Sequence, residues 1–206
     1  MLLEVRDLVI DYRVTRGNIR AVDGVSFDVP AGAVVGVVGE SGCGKTTAVR
    51  AITRVMPSSA VFTAGSISLE GEDIVQLSDR EMKKYLWRDI SYVPQSAMNA
   101  LDPVWRVGKQ IEEVLVERGG MDRKGARARS KELFAMVGLE AKRLSDYPHQ
   151  FSGGMRQRAS IALALSLSPK LVIADEPVTA LDVIIQRQVL DNFAELQKKL
   201  GLSVIL

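Results

Sequence analysis

The sequence is poor in several residue types that define whole classes of protein. Its 206 residues include one cysteine, Cys43, one histidine and only 5% aromatic residues. A single cysteine excludes a disulfide scaffold within the chain. No apolar run approaches the ~18 residues that a membrane-spanning helix needs. Glu4, Arg6 and Asp7 put charges where a signal peptide has its apolar stretch. We therefore expect a cytosolic protein that acts at a membrane only through a partner.

An excess of charge of either sign is also missing. The 27 lysine and arginine residues nearly balance the 25 aspartate and glutamate residues, which leaves a net charge of +2. That charge is too small to indicate binding to nucleic acid or to an anionic membrane. Hydrophobic residues make up 47% and charged residues 25%, which is typical of a folded globular protein. The length predicts one domain with room for an inserted lobe.

Apolar patterns near the N-terminus predict strands followed by a helix. Val25, Phe27 and Val29 alternate with polar residues, as in a half-buried strand. The continuous run Val34–Val38 predicts a strand buried on both faces, as in a parallel sheet covered by helices. Apolar residues at helical spacing then predict a helix that Pro57 stops.

The rest of the chain contains strand and helix patterns and one long helical stretch. We expect an antiparallel piece at 64–75 with a turn at Gly71, a helix from a Ser78–Glu81 capping box towards Leu86, and a strand at 90–93. Helices are expected within 107–144 and from Gly154 to Ser168, followed by a buried strand at 171–174. The last elements expected are a helix that ends at Gly201, with Val189, Phe193, Leu196 and Leu200 on one face, and a strand at 203–206. Residues 96–151 are expected to form a separate helical lobe.

A glycine-rich segment between the first buried strand and its helix matches the pattern G-x-x-x-x-G-K-[ST]. We call it the phosphate loop, and its residues are Gly39, Glu40, Ser41, Gly42, Cys43, Gly44, Lys45 and Thr46. Glycines let backbone N–H groups converge on phosphate oxygens, and the following helix directs its positive end at the same anion. Lys45 supplies a charge for the outer phosphates, and the Thr46 hydroxyl is suited to bind magnesium.

Two simpler interpretations of this segment stay open at this point. The loop is also compatible with a tight strand-to-helix turn that contains an incidental lysine. Cys43 is either a redox-sensitive thiol at a helix N-terminus or, as we favour, a small side chain at an unconstrained loop position.

A second chemical feature is the acidic end of the apolar strand Leu171–Ala174. Asp175 is suited to hold magnesium, and Glu176 to orient or deprotonate an attacking water. Two adjacent acids at a strand end are a weak signal alone, but together with the phosphate loop they predict nucleotide hydrolysis. The chain has no N-K-x-D motif, so guanine recognition of the small-GTPase kind is not expected.

The segment Phe151–Arg158, FSGGMRQR, resembles the signature motif of ABC-transporter ATPases. Other motifs of that family occur in the same order. Gln95 resembles the Q-loop glutamine, Ala180-Leu181-Asp182 resembles the D-loop, and Tyr12 resembles the aromatic residue that stacks on adenine. The resemblance implies an α/β phosphate-loop NTPase fold of the RecA-like kind. Its mostly parallel core sheet would be joined by an N-terminal antiparallel β subdomain and an inserted α-helical lobe.

The resemblance also implies how the site is composed. Glu176 would be the catalytic residue, and Thr46, Gln95 and Asp175 would bind Mg²⁺. The residues expected at ATP are Tyr12, the phosphate loop through Thr47, Gln95, Ser152, Gly153, Gly154 and Asp182. Ser152 and two glycines before a helix suit a second anion site, although a Gly-Gly loop is also a common helix start.

Two further interpretations accompany these residue assignments. Phe27 competes with Tyr12 for the adenine-stacking role, and His149 is interpreted as a structural or surface residue.

In the family two subunits face head to tail, so each ATP lies between one phosphate loop and the partner's signature motif.

A finer similarity concerns the transported substrate. Tyr147–Gln150 and Asn99–Pro103 resemble segments of the ATPase subunits of oligopeptide and dipeptide importers, and nickel importers share the pattern. The expected partners are a second ATPase subunit, integral-membrane permease subunits docking on Met98–Trp105 and, indirectly, an extracytoplasmic substrate-binding protein. The expected location is the cytoplasmic face of the cell membrane. Alternatives are a soluble ABC protein acting on DNA or ribosomes, and a nucleotide-dependent binding module.

The sequence has no histidine after the acidic strand. The family has a switch histidine just after the strand that follows the acidic strand, whereas His149 is the only histidine here and precedes Asp175. The resemblance therefore predicts that these residues are a truncated form of a longer protein. Nucleotide binding should be retained and hydrolysis should be weak, because one transition-state donor would be absent.

Overall fold

The computed structural model describes residues 1–95, 100–179 and 181–206. The elements in chain order are β1 (Leu3–Val14), β2 (Gly17–Val29), β3 (Val34–Val35), α1 (Lys45–Thr53), β4 (Ala60–Leu69), β5 (Glu72–Asp73), α2 (Asp79–Tyr85), β6 (Ile90–Val93), α3 (Val107–Glu113), a π-helical turn (Val114–Arg118), α4 (Arg123–Met136), 3₁₀ turns at Ala141–Ser145 and Pro148–Gln150, α5 (Gly153–Ala164), β7 (Leu171–Ala174), α6 (Val183–Leu200) and β8 (Ser203–Ile205). The chain divides into two compact units, one of Met1–Leu86 with Ser203–Leu206 and one of Trp87–Leu202.

The first unit is built around an antiparallel sheet in the order β2-β1-β4-β5. Val5 on β1 pairs with Phe27 on one side and Ile67 on the other. Val5 and Ile67 are fully buried, so this face of the sheet contributes to the core of the unit. The strand predicted from the alternation of Val25, Phe27 and Val29 is confirmed as part of β2, although the Val25 side chain is 39% exposed.

The predicted strand at Val34–Val38 is much shorter and more open than expected. Only Val34 and Val35 form β3, which pairs in parallel with β8. Val34 is 52% exposed and Val38 is 95% exposed, so the expectation of burial on both faces is wrong. The physical reason is that β3 is an edge strand with one hydrogen-bonded neighbour among the described strands.

The two helices of the first unit differ in how well the sequence predicts their ends. The capping box of α2 is confirmed, since the Ser78 and Glu81 side chains each bond the other residue's backbone N–H. The extension of α1 to Pro57 is wrong, because Arg54 adopts a left-handed conformation with φ of 55° and ends the helix after Thr53.

The second unit contains the parallel pair β6 and β7, with Ser91 opposite Val172. All four residues of β7 are buried, as its apolar sequence predicts. Helix α5 ends at Ala164 rather than at Ser168, because Leu165 leaves the helical conformation with φ of −83° and ψ of 0°, and the N–H groups of Ser166 and Ser168 then donate to carbonyl oxygens three residues back. Helix α6 ends at Gly201 with a left-handed φ of 64°, as predicted, but Leu200 is 38% exposed and leaves the buried face.

The helical stretch of the second unit is confirmed for 107–144. Helix α3 contacts α4 and α5, and Gly108 allows it to approach Leu144, whose carbonyl oxygen would lie 2.6 Å from an added Cβ. Phe134 on α4 packs edge-to-face on Phe151, with ring centroids 6.5 Å apart. In the described parts of the chain, no helix is both long and apolar enough to cross a membrane.

Candidate functional site

The phosphate loop leads directly into α1, and Lys45 is the first residue of that helix. Its ammonium group donates to the carbonyl oxygens of Gly39 and Glu40, each at 2.7 Å. The loop therefore closes around its own lysine. The remaining loop side chains from Gly39 to Cys43 are exposed, and Thr46 and Thr47 follow in the first turn of the helix. This arrangement presents helix N-terminal N–H groups and a positive charge at one loop, which suits a polyanion.

One glycine of the loop, Gly44, is required by space as well as by backbone conformation. Gly44 has φ of 96°, and a Cβ on it would lie 2.2 Å from the carbonyl oxygen of Ala21 on β2. A Cβ on Gly39 would lie 2.7 Å from Sγ of Cys43. The exposed thiol of Cys43 thus lies against the loop backbone, and its Sγ is 3.8 Å from Nζ of Lys45.

Tyr12 lies beside the same helix. Its hydroxyl is 3.1 Å from Oγ1 of Thr47, so the predicted adenine-stacking residue and the end of the phosphate-binding segment are brought together. Phe27, the alternative, pairs with Val5 at the opposite end of β1.

The residue before Tyr12 fixes the strand that presents it. Asp11 is 6% exposed, and its carboxylate accepts from Nε of Arg20 on β2 at 3.1 Å and from Oγ1 of Thr63 on β4 at 2.9 Å. Hydrogen bonds from Arg20 first, and then from Thr63, lower the pKa of Asp11 below its ordinary value. Sequence reasoning missed this three-strand link, because the partners are 9 and 52 residues away along the chain.

In the second unit the acid pair follows β7 directly. Asp175 is 6% exposed, and its Oδ2 accepts from the hydroxyl of Tyr92 on β6 at 2.7 Å. Glu176 is exposed, and its Oε2 accepts from Nε2 of Gln95 at 2.7 Å. Two predicted residues, Gln95 and Glu176, are therefore in contact. Tyr92 was not predicted, and only the parallel pairing of its strand with β7 reveals its role.

The connection from Glu176 to α6 is held by two side chains that the sequence did not single out. Oγ1 of Thr179 lies 2.9 Å from the carbonyl oxygen and 3.1 Å from Oε2 of Glu176. The side-chain amide of Gln186 donates to the carbonyl oxygens of Val178 and Leu181, at 3.1 and 3.0 Å. These bonds fix the described residues of the connection. Ala180, part of the predicted D-loop, lies outside the described residues, as do Met98 and Asn99 of the predicted docking surface.

Ser152 and Asp182 cap the helices that follow them. Oγ of Ser152 accepts from the N–H of Met155 at the start of α5, and Oδ1 of Asp182 accepts from the N–H of Ile185 at the start of α6. A Cβ on Gly154 would lie 2.5 Å from Cγ2 of Ile185, and one on Gly153 would lie 3.1 Å from Leu181. The glycines of the signature motif thus also permit close packing between the starts of two helices.

His149 is exposed and stacks on Tyr147, with ring centroids 5.6 Å apart. This environment agrees with the surface role expected for it.

The three residues predicted to bind a metal, Thr46, Gln95 and Asp175, all have side-chain oxygen atoms. Within residues 1–95, 100–179 and 181–206, no group of three or more His, Cys, Asp or Glu side chains could hold a metal ion. The predicted ligands instead differ in type: Thr46 has a hydroxyl oxygen, Gln95 an amide oxygen and Asp175 carboxylate oxygens. Such hard oxygen ligands, few in number and supplemented by phosphate oxygens, suit Mg²⁺.

Comparisons with known proteins identify relatives over the whole chain. The family model described as ABC transporter matches residues 22–179. The oligopeptide transport ATP-binding protein OppD of Bacillus subtilis (strain 168) is 44% identical over 207 residues, covering 99% of this chain and 58% of that protein. The dipeptide transport ATP-binding protein DppD of the same organism is 45% identical over 208 residues, covering 100% of this chain and 62% of that protein. The chain thus spans about three fifths of the length of these relatives.

A solved structure supports the same assignment of fold. The dimeric post-hydrolysis state of the ATP-binding cassette MJ0796, bound to ADP and Pi, aligns with a TM-score of 0.86 at 27% identity. The alignment covers 98% of this chain and 86% of that chain. The predicted α/β phosphate-loop fold, with its antiparallel N-terminal subdomain, is thereby confirmed.

Proposed function

Because this chain belongs to the ABC transporter family, we propose that it binds and hydrolyses ATP to drive an importer. The observation that supports this most directly is the phosphate loop, which closes around Lys45 at the N-terminus of α1. Relatives named as ATP-binding proteins of peptide transport match the chain from end to end, which supports the same function.

Binding would begin at the phosphate loop. The loop carbonyls that now accept from Lys45 would be exchanged for phosphate oxygens, which are better acceptors because they are charged. Backbone N–H groups at the start of α1 would donate to the same phosphates. Tyr12, whose hydroxyl contacts Thr47, would stack on adenine, a contact worth ~1–3 kcal/mol per base.

Hydrolysis would use the acid pair after β7. A water attacks the terminal phosphorus, the bond to the bridging oxygen of ADP breaks, and Glu176 accepts the proton that the water loses. Thr46, Gln95 and Asp175 would hold Mg²⁺, which supplies positive charge to the phosphates. Asp175 is kept in place by Tyr92, and Gln95 donates to Glu176, so the acid pair is oriented by neutral donors.

The signature motif is proposed to act on a nucleotide held by a second ATPase subunit. Ser152, Gly153 and Gly154 open α5 and leave an N–H-rich helix end there. A head-to-tail pair would bring this end, and Asp182, to the partner's ATP. The solved structures of the ATP-binding cassette MJ0796 are dimeric, which supports this arrangement.

The proposed cargo is a peptide. The relatives named for oligopeptide and dipeptide transport favour it over nickel, which the sequence pattern alone left open. The remaining proposed partners are integral-membrane permeases, docking on Met98–Trp105, and an extracytoplasmic substrate-binding protein. The protein would then lie at the cytoplasmic face of the membrane through its permeases.

The proposed function is tested by measuring substrate uptake into vesicles that contain the reconstituted complex. The protein is purified with its permeases and substrate-binding protein, and uptake of labelled peptides and of nickel is measured with ATP. We expect ATP-dependent peptide uptake that Glu176→Gln abolishes. Uptake of nickel alone would contradict the peptide assignment. Failure of any membrane subunit to co-purify, with ATPase activity intact, would support a soluble ABC protein instead.

A further inference from the structure

Glu176 has an unusual backbone for a glutamate. Its φ of 46° lies in the left-handed region, which L-residues other than asparagine and aspartate rarely adopt. Such conformations persist only where surrounding contacts hold them, and they are frequent at functional sites.

Thr179 provides those contacts from within the same turn. Its backbone N–H donates to the carbonyl oxygen of Glu176 at 3.3 Å, and its hydroxyl lies 2.9 Å from that oxygen. The hydroxyl is also 3.1 Å from Oε2 of the Glu176 side chain. A hydroxyl has one proton, so it bonds one of these two oxygens at a time.

The two oxygens of the Glu176 carboxylate have different surroundings. Oε2 lies within hydrogen-bond distance of two donors, Nε2 of Gln95 at 2.7 Å and Oγ1 of Thr179. Among the described residues, no hydrogen-bond donor contacts Oε1. One oxygen is thus anchored, and the other remains available to accept a proton.

We propose that Thr179 is a positioning residue for Glu176. Its hydroxyl alternates between the Glu176 carbonyl oxygen, which supports the left-handed turn, and Oε2, which it anchors, so that Oε1 faces the attacking water. This inference rests on the proposed function, in which Glu176 accepts the proton from that water. Thr179 itself does not touch the reacting atoms.

Helix α6 holds Thr179 in place from the other side. The Gln186 amide binds the carbonyl oxygens of Val178 and Leu181, which flank Thr179 in the sequence. Asp182 caps the same helix, so the turn that contains Thr179 is fixed to the start of α6. The position of the carboxylate is therefore set by a helix and not only by local rotamers.

The kinetic test compares Thr179→Val, which removes the hydroxyl at nearly constant shape, with Thr179→Ser, which keeps it. The same chemical change at the exposed turn residue Thr15, Thr15→Val, is the matched control. We expect Thr179→Val to lower kcat about three- to tenfold, the size of one hydrogen bond, with KM and the Kd for ATP within twofold of wild type. Thr179→Ser should recover most of the lost kcat.

The results separate this inference from the proposed function. A wild-type protein that neither binds nor hydrolyses ATP would contradict the proposed function itself. Measurable wild-type turnover with an unchanged kcat in Thr179→Val would overturn the role of Thr179 alone. An equal loss in Thr179→Val and Thr179→Ser would also overturn it, because the hydroxyl would then not be the group that matters.

A double-mutant cycle in unfolding reports on the contact without turnover. Thr179→Val, Glu176→Ala, which removes the acceptor oxygens, and the double variant are unfolded in urea. We expect the double variant to lose less stability than the two single losses combined, because both single changes weaken one interaction. Strict additivity would show that the two side chains do not interact and would overturn the inference.

Discussion

At the scale of single residues, the phosphate loop depends on two glycines for different reasons. Gly42 and Gly44 both have positive φ, at 80° and 96°. Gly42 has open space around its missing Cβ, whereas Gly44 lies against the carbonyl oxygen of Ala21 at 2.2 Å. Conformation therefore requires glycine at both positions, and steric contact with β2 requires it at Gly44 only.

This difference predicts unequal losses of stability. Gly42→Ala should cost about 1–2 kcal/mol of the free energy of unfolding, through the left-handed backbone alone. Gly44→Ala should cost roughly 1–3 kcal/mol more, because its Cβ overlaps a backbone atom that belongs to another strand. Urea unfolding measures both, with Gly36→Ala as the control, since Gly36 has neither positive φ nor a neighbour within 4 Å. Equal losses for the two loop variants would contradict the steric argument.

The sequence predicted residues that belong to motifs and missed residues that support them. Lys45, Asp175 and Glu176 follow from patterns whose spacing is local. Tyr92 and Thr179 do not, because a tyrosine on a strand and a threonine in a turn have no special pattern. Their roles arise only when parallel pairing and a left-handed turn bring their hydroxyls to the carboxylates.

At the scale of elements, Asp11 links three strands through one carboxylate. It accepts from Arg20 on β2 and from Thr63 on β4, and both bonds favour its charged form. The pKa of Asp11 in the folded protein is therefore lower than its ordinary value of 3.8. A lowered pKa stabilises the fold above the unfolded value, and this stabilisation is lost as the pH falls through the folded value.

Acid unfolding should show that link. From about pH 5 to about pH 2, the wild-type protein should lose more of its free energy of unfolding than Asp11→Asn does, because the variant has no carboxylate to protonate there. Asp23→Asn is the matched control, since Asp23 also pairs with Arg20 but is exposed, and exposed pairs contribute little. A wild-type pH dependence that Asp11→Asn leaves unchanged would contradict this account.

The positions of elements followed from the sequence more reliably than their limits did. The α2 capping box and the Gly201 helix end were predictable, because those residue types have distinct local preferences. The ends of α1 and α5 were not, since Arg54 and Leu165 leave the helical conformation and neither residue type signals a helix end. The openness of β3 depends on which strands pair with it, and that information is not local.

At the scale of the whole molecule, motif order was the strongest signal in the sequence. The phosphate loop, glutamine, signature motif and acid pair occur in the order of the ABC transporter family, whose model matches residues 22–179. The limits of the predicted helical lobe, 96–151, stay a prediction. The second observed unit runs from Trp87 to Leu202, since β6 contacts β7 and α5, and α5 contacts α6.

The central claim is that the phosphate loop binds ATP through Lys45. The most direct test is calorimetric titration of the protein with ATP and Mg²⁺, for the wild type, Lys45→Ala and the control Lys124→Ala. We expect binding by the wild type and the control, and a Kd raised at least about tenfold in Lys45→Ala, because a charge-assisted contact to phosphate is lost. Wild-type affinity in Lys45→Ala, or no binding by the wild type, would contradict the account.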